Sequence, residues 1–317
     1  MSEDLASRLL AGDRRALARS LTLVENGGTD GATLLKSVFS HTGGAHLIGI
    51  TGPAGSGKST VTSALTSHYR QTGKTVGVIA VDPSSPFSHG AVLGDRIRML
   101  EHWSDEGVFI RSMATRGALG GLAATTFEAA LILDAAGKDI VIVETVGAGQ
   151  DEIEIAGLAD TTIVISTPAT GDDIQAMKAG ILEVADVLAI NKADLPGADT
   201  LAAQLTALLS MGQERPWKVP VVKVEGTTGA GIPELADSLA AHRAYLIDSG
   251  EIDQLRRRQA RSQIEKILKD ELLRATIRAS GGEAGLDAMV ERVAAREIDP
   301  RSAARDLGRA TSEAAAR

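Results

Sequence analysis

From Leu47 to Val224 the chain alternates short, nearly continuous apolar runs with Ala- and Leu-rich stretches of helical period. The runs are Leu47 to Thr51, Val76 to Asp82, Val108 to Arg111, Ile140 to Glu144, Thr162 to Ser166, Val187 to Asn191 and Val219 to Val224. A strand covered on one face alternates apolar and polar residues, whereas one covered on both faces is apolar throughout. Helical segments such as Ser59 to Arg70, Leu122 to Ala136 and Thr200 to Leu209 separate the runs. Strand and helix in alternation build βαβ units. The expectation is an α/β domain over residues 43–247, doubly wound about a mostly parallel sheet.

Both flanks are charged, Ala/Leu-rich and free of strand signals. Leu5, Leu9, Leu10 and Leu17 fall at helical spacing, and Gly27-Gly28 is placed to end that helix. Beyond the domain, Ile252, Leu255, Ile264, Ile267, Leu268, Leu272 and Ile277 form an apolar stripe along a helix that Gly281-Gly282 ends. Asp299-Pro300 reads as the N-cap and first residue of a last helix. Residues 1–42 and 248–317 are therefore read as N- and C-terminal helical arms. The C-terminal stripe has to be covered, by its own domain or by a second copy of the chain.

Composition narrows the classes. Of 317 residues, 33 are basic and 41 acidic, a net charge of −8 that disfavours an electrostatically driven nucleic-acid binder. Aromatic residues are only 3%, too few for base-stacking platforms. The absence of cysteine removes disulfides, thiolate zinc sites, iron–sulfur clusters and thiol nucleophiles, and fits a reducing compartment. The first residues, Met1-Ser2-Glu3-Asp4 followed by Arg8, Arg14 and Arg15, lack the apolar stretch of a signal peptide. No run approaches the roughly 20 apolar residues of a membrane span. A cytoplasmic protein with neither nucleic acid nor membrane as partner is expected.

The strongest chemical signal is Gly52-Pro53-Ala54-Gly55-Ser56-Gly57-Lys58-Ser59, which fits G-x-x-x-x-G-K-[ST] between a predicted strand and a predicted helix. Glycines let backbone N–H groups curl around phosphate oxygens, and the helix directs its positive end at them. Lys58 is the candidate for the β- and γ-phosphates, Ser59 for Mg²⁺, and Thr60 continues the loop into the helix. The fold class expected is thus a P-loop NTPase. Asn191-Lys192-Ala193-Asp194 reads N-K-x-D, in which Asp194 accepts hydrogen bonds from guanine N1–H and the exocyclic amine. Adenine presents neither group and would leave a carboxylate unpaired, so GTP is expected rather than ATP.

Acidic residues at strand ends supply metal candidates. Glu144 opens Glu144-Thr145-Val146-Gly147, which resembles D-x-x-G with Glu for Asp, and Gly147 is placed to offer its N–H to the γ-phosphate. Asp82 ends a strand at the carboxyl edge of the sheet, where ligands of such sheets bind, and Asp95 is a further candidate. Ala148 stands where Ras-like GTPases carry the water-positioning Gln, and Gln150 comes three residues after Gly147. Slow intrinsic hydrolysis is expected, with Arg96, Arg98, Arg111 and Arg116 as internal sources of positive charge.

Val81-Asp82-Pro83-Ser84-Ser85, Leu93-Gly94-Asp95-Arg96, Gly117-Ala118-Leu119-Gly120-Gly121, the stretch from Glu144 to Gln150, Thr170-Gly171-Asp172-Asp173-Ile174-Gln175 and the N-K-x-D segment together resemble the MeaB/ArgK/MMAA family. Members of that family are GTPases that chaperone adenosylcobalamin-dependent acyl-CoA mutases. The resemblance implies a P-loop GTPase core that forms a homodimer through its C-terminal arm. It also implies a role in gating cobalamin loading onto the mutase and in protecting or rescuing it, with no cobalamin bound directly. Catalytic roles fall on Lys58, Glu144, Gly147 and Gln150, and switch segments on residues 82–98, 144–154 and 167–180. Where relatives carry Ser-Ala against guanine this chain has Glu225-Gly226-Thr227, so backbone contacts to the base remain and a serine contact is lost.

Two other classes share the P-loop. A metallochaperone-type GTPase of nickel-enzyme maturation needs soft or imidazole ligands. This chain has no Cys and six scattered His, of which His41 and His46 read as exposed residues of a Gly-rich loop. A transport-linked P-loop ATPase or kinase would not discriminate GTP from ATP. The run Arg256-Arg257-Arg258 with Arg261 reads as a solvated helix face, given the nearby Glu265, Asp270 and Glu271.

Overall fold

The computed structural model describes residues 2–82, 100–114, 124–145, 154–168, 181–211 and 215–315. All seven apolar runs become strands of one sheet: β1 (His46–Thr51), β2 (Val76–Asp82), β3 (Val108–Ala114), β4 (Ile140–Glu144), β5 (Thr161–Ser166), β6 (Val187–Ile190) and β7 (Val221–Lys223). Their order is β3-β2-β4-β1-β5-β6-β7, and every neighbouring pair is parallel. The chain leaves β1 toward one edge, returns through β4, and only then builds β5 to β7 on the other side. The two halves of the winding diverge at β1, and a crevice at the carboxyl ends of the strands is where such sheets hold ligands.

Nearly continuous apolar runs follow from coverage on both faces. On one face Ile79, Val141 and Val143 pack with Leu133 of α5 (Ala124–Ala135) and with Leu9, Leu21 and Leu34 of the N-terminal helices. On the other, Ile48, Ile50 and Ile142 meet Leu65 of α4 (Lys58–Gln71) and Leu235 and Leu239 of α8 (Ile232–Asp248). A third cluster joins Val164, Leu188 and Ile190 to Leu201 and Leu205 of α7 (Ala198–Met211), which follows the short α6 (Ile181–Val184). Each fully buried Leu or Ile contributes about 1.5–3 kcal/mol.

The N-terminal arm is three helices, where the Leu spacing suggested one: α1 (Ser2–Leu10), α2 (Arg14–Asn26) and α3 (Thr29–Val38). Gly12, at φ 81°, breaks the first from the second, and Asp13 caps α2 by accepting from the N–H groups of Arg15 at 2.7 Å and Ala16 at 3.1 Å. That carboxylate is held below the ordinary range, first by its hydrogen bond from Arg8 and then by those two amides. Arg111 of β3 does not serve the site as a spare charge. It ion-pairs with Glu25 of α2 and ties the arm to the sheet edge.

His46 also departs from the expectation of an exposed loop residue, whereas His41 is exposed. Gly43-Gly44 made the region look like a loop, but β1 begins at His46 and leaves that residue 3% exposed, with Nε2 2.8 Å from Thr161 Oγ1.

Residues 1–256 form one compact unit and 257–317 a second. The long helix α9 (Glu251–Ala279) runs through the boundary. Within the second unit α10 (Glu283–Ala294), which the apolar pattern did not announce, precedes α11 (Pro300–Ala315). Ser280 Oγ donates to Leu307 O at 3.3 Å, and Asp299 caps α11 through the N–H groups of Arg301 and Ser302, both at 3.0 Å. No helix among the described residues is long and apolar enough to cross a membrane.

Candidate nucleotide site

The loop between β1 and α4 owes its shape to glycine. Gly52 sits at φ 141°, and a Cβ there would lie 2.2 Å from Ile165 O on β5. Gly57, the residue before α4, is left-handed at φ 87°, and a Cβ there would lie 2.2 Å from Asn191 Nδ2. No other residue type takes both positions without displacing the loop. Lys58 curls back over it, its Nζ donating to the carbonyls of Gly52 at 2.8 Å and Pro53 at 3.0 Å. The N-cap of α4 is Gly57, which has no side chain to cap it, so the positive end of the helix faces the loop as an anion site requires.

The side of the loop that carries the metal candidates Ser59 and Glu144 is built by two elements. Glu144, at the end of β4, is 4% exposed, and both its oxygens take hydroxyl donors from α4. Ser59 Oγ donates to Oε1 at 2.5 Å and Thr62 Oγ1 to Oε2 at 2.9 Å. The next residue fixes the strand end: Thr145 N donates to Ile50 O at 3.0 Å and its hydroxyl to Thr51 Oγ1 at 3.0 Å. A serine hydroxyl that gives its proton to a carboxylate keeps its lone pairs for a cation. Hydroxyl and carboxylate oxygens are the hard donors that Mg²⁺ takes. The residues present therefore fit the ion. Thr62 was missed in the sequence, although its offset of three residues from Ser59 puts both on one helix face.

Asn191, directly after β6, joins the phosphate loop to the far side of the crevice. Its Nδ2 donates to Ser56 O at 2.9 Å, and its Oδ1 accepts from Gly226 N at 3.0 Å. Lys192, at φ 57°, donates from Nζ to Gly55 O at 3.1 Å. Next to them opens a cavity of about 240 Å³ walled by Thr60, Lys192, Asp194, Glu225, Gly226 and Thr227. The nucleotide-side residues expected from three separate stretches of sequence thus share one pocket. Glu225, in the segment that differs from the Ser-Ala of relatives, has its Oε2 held by Thr228 Oγ1 at 3.0 Å.

Asp82 ends β2 beside Ala114 of β3, at the same edge of the sheet as Glu144. Gly147, Gln150, Asp95 and the arginines 96, 98 and 116 lie outside the described residues, as does most of the three switch segments. No group of three or more His, Asp or Glu that could hold a metal ion occurs among the described residues.

A glycine-shaped anion loop, and beside it a cavity with a carboxylate in its wall, suit a guanine nucleotide. The class defined by fold and site is the P-loop GTPase. Comparison with known proteins carries this to a family: the model described as methylmalonyl Co-A mutase-associated GTPase MeaB matches residues 17–281, and the chain belongs to that family. A protein of Pyrococcus horikoshii named as a GTPase is 45% identical over 306 residues, 95% of this chain and 96% of that one. The GTPase ArgK of Escherichia coli is 36% identical, with 84% of this chain and 83% of that one covered. A Mus musculus protein named methylmalonic aciduria type A homolog, mitochondrial, is 33% identical, over 85% of this chain and 69% of its own length. Among solved structures, one titled LAO/AO transport system kinase superposes with a TM-score of 0.72 at 27% identity, covering 97% of this chain and 96% of the other. The chain is a GTPase, and its sheet order is that of a P-loop fold.

Proposed function

We propose that this GTPase is a nucleotide-controlled chaperone of an adenosylcobalamin-dependent acyl-CoA mutase, gating cofactor loading and protecting or reactivating the loaded enzyme. The observation that carries this reading is the family match over residues 17–281, because that family is described by its association with methylmalonyl-CoA mutase. The name of the mouse relative supports it. Cobalamin itself belongs to the mutase and is not bound by this chain.

In the mechanism proposed, the backbone of residues 52–57 and the Lys58 ammonium hold the β- and γ-phosphates. Ser59 and Glu144 hold Mg²⁺, with Asp82 and Asp95 as further candidates. Bound Mg²⁺ supplies neutralisation of the charge that develops on the phosphate oxygens. Asp194 accepts from guanine, while the backbone of Glu225, Gly226 and Thr227 closes over the base. Gly147 offers its N–H to the γ-phosphate, and Gln150, three residues further on, is a catalytic candidate. With Ala148 in the usual glutamine position, hydrolysis is slow alone and rises when the partner completes the site, by about 10³–10⁵-fold for an arginine-finger type of partner. Segments 82–98, 144–154 and 167–180 are the switches, and the last couples the nucleotide to the mutase.

Residues 1–42, 43–247 and 248–317 are taken as N-terminal arm, GTPase domain and C-terminal dimerisation arm. Ile264, Leu268, Leu272 and Leu273 are exposed on α9 and offer an apolar surface for a second copy. A cytoplasmic location is part of this proposal. The test is capture by the tagged protein of a cobalamin-dependent mutase from the same cells, in the GTP and GDP states separately. Different amounts of mutase in the two states are expected. If no cobalamin enzyme associates in either state, the chaperone role is lost and the GTPase remains.

A further inference from the structure

We infer that Thr62 is a positioning residue for the metal–phosphate site, acting through Glu144. The inference rests on the reading above that Ser59 and Glu144 hold Mg²⁺. A glutamate at the D-x-x-G position has one more rotatable bond than aspartate, so a single contact leaves its carboxylate free to swing about its last torsion. The structure provides a second contact. Ser59 Oγ and Thr62 Oγ1 grip opposite oxygens of Glu144 from successive turns of α4, at 2.5 and 2.9 Å.

The ordinary account of a buried helical threonine is a hydroxyl bonded to the carbonyl four residues back. Thr62 Oγ1 does lie 3.0 Å from Lys58 O. It has one proton to give, however, and the carboxylate is the stronger acceptor. Thr66, one turn further on, shows the ordinary case. Its hydroxyl donates to Thr62 O at 2.8 Å, and it is as fully buried as Thr62. The two threonines share residue type, helix face and burial, and of the two Thr62 is the one bonded to the carboxylate. That contrast separates positioning from packing.

Thr62→Val keeps shape and removes the hydroxyl, Thr62→Ser restores the hydroxyl, and Thr66→Val is the packing control. The measurement is the Mg²⁺ concentration that half-slows release of a fluorescent GDP, together with kcat and KM for GTP and a thermal melt. Thr62→Val should raise that Mg²⁺ concentration about ten-fold and lower kcat by a similar factor, with KM changing little. Thr62→Ser should return close to the native protein, and Thr66→Val should leave the Mg²⁺ dependence unaltered. Thr62→Ala replaces the valine variant if the latter does not fold. An unchanged Mg²⁺ dependence in the hydroxyl-free variant overturns the inference. So does a serine variant as impaired as valine, or a Thr66→Val shift of equal size. If GDP release from the native protein ignores Mg²⁺, the metal reading of the site fails first, and the role of Thr62 falls with it.

Discussion

The sheet buries polar clusters at both of its ends, and they are built to opposite plans. At the carboxyl end, glycines bare the backbone, Lys58 is held by carbonyls that a phosphate can replace, and a cavity of about 240 Å³ adjoins. At the amino end the polar groups satisfy one another in a closed chain. His46 of β1 and His242 of α8 lie on either side of the Thr161 hydroxyl, each with a ring nitrogen at 2.8 Å. His242 Nε2 is 3.5 Å from Asp186 Oδ1, and Asp186 Oδ2 accepts from Thr162 N at 2.8 Å. Trp217 covers the cluster, its ring 4.9 Å from His242 and its Nε1 donating to Asp186 O at 2.8 Å. An ionised Asp186 favours Nε2–H on His242, so Nδ1 accepts the Thr161 proton and Thr161 accepts from His46 Nε2–H. Buried polar groups alone would mark both ends as sites. What separates them is whether a ligand has anything left to bind: one end offers exchangeable contacts, and the other has spent them on the fold.

The comparison breaks most readily at Lys58. Lys58→Ala removes a preorganised donor from the phosphates and should lower GTP turnover about 10²–10³-fold, with the melting temperature little changed. A thermal melt alongside a phosphate-release assay reads both.

Thr161→Val should do the reverse. It strips two buried imidazoles of their shared partner and should cost about 2–4 kcal/mol of stability in urea unfolding. GTP turnover of the folded protein should be unchanged. A turnover loss at full stability would mean that the amino end is coupled to the site.

Acidification offers a smaller effect of fixed sign. Burial holds His46 down to about 3 and His242 to about 4, and pushes Asp186 up to about 6. Between about pH 6 and pH 4 the unfolded chain carries protons on both histidines, and the folded chain carries one on Asp186. Two against one leaves one extra proton on the unfolded state. Stability therefore falls with pH in that window, by about 1.4 kcal/mol per pH unit from this cluster. His242→Gln removes one of the two and should flatten that slope when urea midpoints are compared across pH.

The two ends were not equally legible in the sequence. The seven strands could be read because each is a short, nearly continuous apolar run, unbroken in the doubly covered β4 and interrupted by Arg111 in the edge strand β3. Lys58, Ser59 and Asn191 could be read because a phosphate loop and a guanine pocket demand fixed residue types at fixed spacing. The amino-end cluster has no such grammar. His46 and Thr161 come from strands 115 positions apart. Thr62 reaches Glu144 across 82 positions, and threonine at a helix position is too common to announce a contact. The break at Gly12-Asp13 was overlooked because the leucine spacing runs straight across it, while the cap that starts α2 is a single side chain. Helix α10 has no capping side chain at Gly282 and no buried residue, so its apolar pattern carried little signal.

The central claim is that the open end of the sheet binds a guanine nucleotide through Asp194. Its most direct test is binding of GTP, XTP and ATP to the native protein and to Asp194→Asn. A carboxylate accepts from the 2-amino group of guanine, whereas an asparagine amide donates to the 2-oxo group of xanthine. The native protein should prefer GTP, and the variant should lose GTP by about 10²-fold while gaining XTP. A variant that keeps the native order, or a native protein that binds ATP as well as GTP, would contradict the account.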